Sequence, residues 1–169
     1  AEMLGEEYLV PLLGVWDDPN DIDFDKLPNQ FVLKCNHNSG LGMCICKNKD
    51  GLIKEQVING LKKGLEQDYY LTGREWPYKN VKRKVIAEKY LVDESGVELK
   101  DYKLYCFDGK VKLIMINSDR NKECSTKADY FDADFNHLNM IWGYEQSSVV
   151  PSKPLYFEEM KMLAEKLSK

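Results

Sequence analysis

Two β-prone runs, Tyr102 to Phe107 and Lys110 to Asn117, flank the dipeptide Asp108-Gly109. Those two residues tolerate the positive φ angles that a two-residue type I′ turn demands. So short a connection forces the runs to pair antiparallel, because a parallel pair needs a crossover of about a dozen residues or more. The same grammar recurs upstream. Phe31-Val-Leu-Lys-Cys35 and Met43-Cys-Ile-Cys-Lys47 enclose Asn36-His37-Asn38-Ser39-Gly40-Leu41-Gly42, which reads as strand, small-residue loop, strand. Arg83 to Val92 and Ala128 to Asp132 are further strand candidates, and Asn136 to Tyr144 is ambiguous. Tyr8 to Trp16, stopped by Asp17-Asp18-Pro19-Asn20-Asp21, reads as extended or as a short helix.

Two segments carry helical spacing. Val57, Ile58, Leu61 and Leu65 predict a helix over Lys54 to Gln67, although Gly60 and Gly64 each cost roughly 1 kcal/mol relative to alanine. Tyr156, Met160, Leu163 and Leu167 form one stripe in Pro154 to Ser168, with Pro154 near its start. Between these, Thr72 to Asn80 predicts an ordered loop packed against something, since Trp76 and Tyr78 are costly to expose. The fold class is therefore α+β, with a mainly antiparallel sheet and packed helices. With 169 residues, one core is expected.

Charge limits the partners. Lys plus Arg number 24 and Asp plus Glu 28, a net charge of -4 that argues against a nucleic-acid binder driven by bulk positive charge. Any anion site must be local. The longest apolar stretch, Tyr8 to Trp16, is broken by Pro11 and Gly14 and falls short of the roughly 20 residues of a membrane span. Five cysteines and no signal peptide suit thiols in the cytoplasm rather than a disulfide framework. The chain opens on Ala1 and stops at Lys169 within a helix pattern, so both ends read as cut.

Lys34 ends a strand just before Ser39, Gly40 and Gly42. A phosphate wants a fixed positive charge and several backbone N–H groups, and glycines let the backbone approach closely. This is no P-loop, because a strand rather than a helix follows the glycines; an ordinary polar hairpin is the competing reading. Cys35, His37, Cys44 and Cys46 are competent zinc ligands at unsuitable spacing, and the last two share a strand face with apolar neighbours, as buried thiols would. A nucleophilic Cys35-His37 pair lacks an orienting group. Lys79, Lys82, Arg83, Lys84 and Lys89 fit a lysine-guarded strand edge. His137 fits a surface or internally satisfied histidine. Asp132-Ala133-Asp134 matches the short metal-binding string of sugar-nucleotide glycosyltransferases.

Taken in order, Glu7-Tyr-Leu-Val-Pro-Leu-Leu-Gly-Val15, Asp23-Phe-Asp-Lys-Leu-Pro28, Phe31-Val-Leu-Lys-Cys-Asn-His37 with Ser39-Gly40, Gly73-Arg-Glu-Trp76, Ile86-Ala-Glu88 and Asp101-Tyr-Lys103 resemble the TupA-like ATP-grasp family. The resemblance implies an ATP-grasp-like core, here truncated at both ends as a single partial domain. ATP would lie with its phosphates under the glycine-containing loop and its adenine against a hinge. By the same resemblance Lys34, His37, Ser39 and Gly40 match the phosphate loop, with Asn38 where many relatives carry glycine. Glu88, Tyr90 and Leu91 look like the hinge, Lys103 resembles an inner-strand position near the phosphates, and Arg120 resembles a catalytic residue that neutralises developing charge.

The implied chemistry joins a carboxylate to an amine through an acyl-phosphate, on small-molecule or glycan-linked substrates, in bacterial surface-polysaccharide biosynthesis. Its place is the cytoplasm, including the inner face of the membrane. Magnesium ligands are expected only in a longer protein, so the chain as given is expected to be inactive. A sugar-nucleotide glycosyltransferase and a non-catalytic binding domain are the alternatives.

Overall fold

A computed structural model describes residues 1–93, 99–119 and 126–169. These gather into two compact units, Glu6–Tyr90, and Ala1–Gly5 with Leu91–Lys169. Every strand pair within them is antiparallel.

In the first unit β1 (Leu12–Trp16), β2 (Phe31–Cys35), β3 (Met43–Cys46) and β4 (Val85–Lys89) form a sheet of order β1-β4-β2-β3. One face is closed by α1 (Lys54–Glu66). Period-two alternation decides what goes in: Phe31, Leu33 and Cys35 from β2 and Val85 and Ala87 from β4 meet Leu61 of α1, all of them buried. Gly64 of α1 is a contact rather than a flaw. A Cβ there would stand 2.6 Å from the Gly42 Cα and 2.8 Å from the Cys35 Sγ, so two glycines are what allow the β2–β3 connection to lie against the helix.

The second unit carries β5 (Asp101–Phe107), β6 (Lys110–Ser118), β7 (Lys127–Asp132) and β8 (His137–Leu138) in sequential order, with α3 (Phe157–Leu167). Asp108 and Gly109 both take positive φ, 51° and 69°, as the turn reading requires. Val111, Ile114, Ile116, Phe131 and Phe157 cluster on the side of α3, where Phe135 stacks on Phe131 at 4.2 Å and meets Phe157 edge-on. Met115, Ala128 and Tyr130 cluster separately with Leu138 and Met140, and the Tyr130 hydroxyl donates to the Trp142 carbonyl at 2.6 Å.

Two expectations need correcting. The inward residues of α3 are Phe157 and Ala164, whereas Tyr156 and Leu167 are exposed, so the stripe read from sequence was out of phase. Thr72 to Asn80 does not bury its tryptophan. This stretch holds the end of α2 (Tyr69–Gly73) and a 3-10 turn at Trp76–Tyr78, and Trp76 remains 67% exposed. The Lys79 ammonium sits over one face of the Trp76 ring, 4.6 Å from the centroid, and also approaches Tyr70. A cation on an aromatic face shields apolar surface while keeping its own hydration.

Candidate functional site

The sheet of the first unit has a second face, and its register defines it. Lys34 lies opposite Met43 and Ile86, Ile86 opposite Val15, Val32 opposite Ile45 and Glu88, and Glu88 opposite Leu12. Directly opposed residues share a face. Eight side chains are thus displayed together: six apolar ones, and one ion pair in which Lys34 Nζ lies 2.6 Å from Glu88 Oε2. Leu12, Val15, Met43 and Ile45 are exposed, and Val32 and Ile86 are half-buried. Lys34 is the one cation on these eight positions.

At one end of this face is the loop from Asn36 to Gly42, held by three consecutive side chains. Asn36 donates from Nδ2 to the Lys82 carbonyl at 3.0 Å and accepts the Lys84 N–H on Oδ1 at 2.9 Å. His37, 3% exposed, donates from Nε2 to the Gln67 carbonyl at 2.9 Å. Asn38 donates to the Gly64 carbonyl at 2.6 Å. The loop is therefore pinned at its root, and only Ser39, Gly40 and Leu41 stand exposed at its tip. Gly40 has φ of 93° and open space where a Cβ would be. The Asn38 bond to Gly64 ties the loop to α1.

The other candidates sort by unit. Tyr90 is half-buried and belongs to the first unit, and half-buried Leu91 belongs to the second. Lys103 belongs to the second unit and pairs with Asp101 at 3.1 Å. Arg120 lies outside the described residues.

The competing motifs are spent locally. Burial pushes the Cys35 thiol up to about 11, and its Sγ donates to the Leu61 carbonyl at 3.4 Å, which suits a packed thiol rather than a nucleophile. Burial also raises Cys44. Asp132 Oδ1 accepts the N–H groups of Asp134 and Asn136 at 2.9 and 2.8 Å, so this carboxylate is engaged in closing a turn. In the basic run, Lys84 lies 2.7 Å from Asp17 and its hydrogen bond holds that carboxyl below the usual range, while Arg83 caps the Leu65 and Glu66 carbonyls of α1. His137 Nε2 reaches buried Asp129 at 3.2 Å, a partner that sequence did not reveal.

The TupA-like ATPgrasp family matches the chain over residues 1–169. The chain belongs to that family. Membership makes this an ATP-grasp-type domain, a kind that binds ATP. No curated protein and no solved structure matches it. Among the described residues no helix is long and apolar enough to cross a membrane, and no group of three His, Cys, Asp or Glu side chains gathers to hold a metal ion.

Proposed function

We propose that the open sheet face of the first unit is the nucleotide seat of an ATP-dependent carboxylate-amine ligase. The observation that carries this is the face itself, six apolar side chains around one lysine and one carboxylate. A flat, largely apolar ring with a polar edge and an anionic tail fits such a surface, since small-molecule sites are mostly apolar with a few placed polar groups. ATP held there would give its γ-phosphoryl group to a carboxylate, leaving as ADP, and an amine would then displace phosphate from the acyl-phosphate to give the amide. The chain's own share is binding and orientation. Lys34 Nζ places a full charge for the phosphates, and the backbone at Ser39 and Gly40 offers N–H donors from an exposed tip. Glu88 offers an acceptor to the base edge. The pinned root fixes where that tip can reach, which is most of what phosphoryl transfer asks of a protein. The described residues offer no magnesium ligand set, and no step is assigned to the metal.

Bacterial surface-polysaccharide assembly, carboxylate and amine substrates that are free or glycan-linked, and a cytoplasmic place of action complete the proposal; their support is the family likeness. The test is calorimetric titration of ATP into the wild type and Lys34→Ala. Loss of one charge-assisted bond predicts affinity lower by roughly tenfold to a hundredfold. Equal affinity would remove Lys34 from the seat.

A further inference from the structure

The segment Gly73-Arg74-Glu75-Trp76 takes no part in the open sheet face, and its backbone is held against preference. Arg74 closes α2 in the left-handed region, at φ 55° and ψ 22°, with its N–H on the Tyr70 carbonyl at 2.8 Å. Glycine is the usual residue in that position, and the glycine of this segment stands one place too early. A side chain kept in a disfavoured conformation points to a use for it. The Arg74 guanidinium lies over the Tyr70 ring, 5.6 Å from the centroid, and the Lys79 ammonium reaches the same ring at 5.5 Å. Two like charges thus converge on one aromatic. Neither meets a carboxylate among the described residues. The two acids of this stretch are engaged elsewhere: Asp68 pairs with Arg83 at 3.5 Å, and Glu75 accepts the Tyr69 hydroxyl at 3.2 Å.

We propose that Tyr70, Arg74, Trp76 and Lys79 form a binding site for an acidic saccharide. Converging cations ask for an anion, which offsets their mutual repulsion. Trp76 is 67% exposed, and Lys79 sits over one face of it, so indole surface is left to water beside those charges. Such a ring offers a flat apolar face to the C–H side of a pyranose. The Glu75 carboxylate and the Thr72 hydroxyl, both exposed in the same segment, accept hydrogen bonds from hydroxyl groups. A sugar acid brings the carboxylate, the apolar ring face and the hydroxyl donors within one residue. An acidic peptide lacks the ring and its hydroxyls, and a nucleic acid is opposed by Glu75 and by a net charge of -4. In the ligase proposed above, the site would hold a glycan-linked substrate. It shares no residue with the open sheet face, so it stands or falls apart from the nucleotide seat.

The experiment follows the indole N–H resonance of Trp76, assigned with Trp76→Phe, as a hyaluronan tetrasaccharide, tri-galacturonate, maltotriose, penta-glutamate or oligouridylate is added, with affinities taken by calorimetry. At least one of the two acidic sugars should shift the resonance at millimolar concentration. Neutral maltotriose should bind about fivefold more weakly, the fold-change of one exposed ion pair. Trp76→Ala should weaken the acidic sugar by up to about tenfold, through loss of the stacking face. Arg74→Gly should weaken it about fivefold while the denaturation midpoint is kept or raised, because glycine suits a φ of 55°. A merely structural arginine would show the reverse, a lower midpoint with unchanged affinity. Arg74→Asn, which also tolerates this backbone, serves if the glycine variant folds poorly. No shift with either acidic sugar, equal affinity for maltotriose, or tighter binding of penta-glutamate or oligouridylate would overturn the proposal. ATP titrated into the same samples separates the two readings: a wild type that binds ATP but neither acidic sugar keeps the seat and loses this site, and one that binds the sugar but not ATP does the opposite.

Discussion

The two sheets of this chain are built by the same rules and finished differently. In the second unit apolar clusters lie on both faces, so that Ile114, Ile116 and Phe131 are buried on one and Ala128 and Tyr130 on the other. In the first unit α1 closes one face, while Leu12, Val15, Met43 and Ile45 on the other stay 46 to 58% exposed. An antiparallel sheet left open to water normally shows polar residues on that side. Six apolar residues around one ion pair depart from that pattern, and the proposed nucleotide seat rests on this departure.

Core truncation should expose the contrast most strongly. Phe131→Ala in the second unit and Leu33→Ala in the closed face of the first should each cost about 3 to 5 and 2 to 5 kcal/mol respectively in urea unfolding. Ile45→Ala on the open face should change stability by only about 0.5 kcal/mol while weakening ATP. A loss at Ile45 as large as at Leu33 would mean that this face is structural core.

Helix α1 offers a sharper version within one element. Gly64→Ala drives a Cβ into the Gly42 backbone and should destabilise by about 1 to 3 kcal/mol despite better helix propensity. Gly60 has nothing within 4 Å of such an atom, so Gly60→Ala should stabilise by up to about 1 kcal/mol. Chemical denaturation of the two variants decides whether the loop really rests on the helix.

The closed face should also register in alkali. With the Cys35 thiol raised to about 11, the folded state keeps a proton that the unfolded state releases from the ordinary thiol range upward. That contribution is complete below the ordinary range and is lost as pH rises toward 11. Denaturation midpoints of the wild type and Cys35→Ala, followed from neutral to alkaline pH, should therefore converge. A smaller effect is expected from Asn38→Gly, which removes the bond to the Gly64 carbonyl. Amide exchange at residues 39–41 should quicken by roughly fivefold to tenfold, with melting almost unchanged.

What sequence disclosed follows from range. The Asp108-Gly109 hairpin was legible because its information is two residues long. Lys34 and Glu88 were each visible as candidates, but their contact was not, since it depends on β4 entering the sheet beside β2. Gly64 looked like a weakness because its partner, Gly42, lies on another element. Trp76 was read as packed from its chemistry alone, and the neighbouring lysine that sits on one face of its exposed ring is a contact that hydrophobicity patterns do not encode. The phase of α3 slipped by one residue because Tyr156 and Phe157 are adjacent aromatics and only packing selects between them.

The three anchors of the loop share a property with evolutionary weight. Asn36, His37 and Asn38 all engage main-chain groups, those of Lys82, Lys84, Gln67 and Gly64. Every amino acid brings a carbonyl, and every one but proline an N–H, so Gln67, Lys82 and Lys84 can drift in identity without releasing the loop, whereas Gly64 is held by its contact with Gly42. Asn36 and His37 have no such freedom, because their side chains make the bonds. Genetic variation around this site should accordingly be lopsided, permissive at Gln67 and Lys82 and intolerant at Asn36 and His37, although all of them take part in the same bonds.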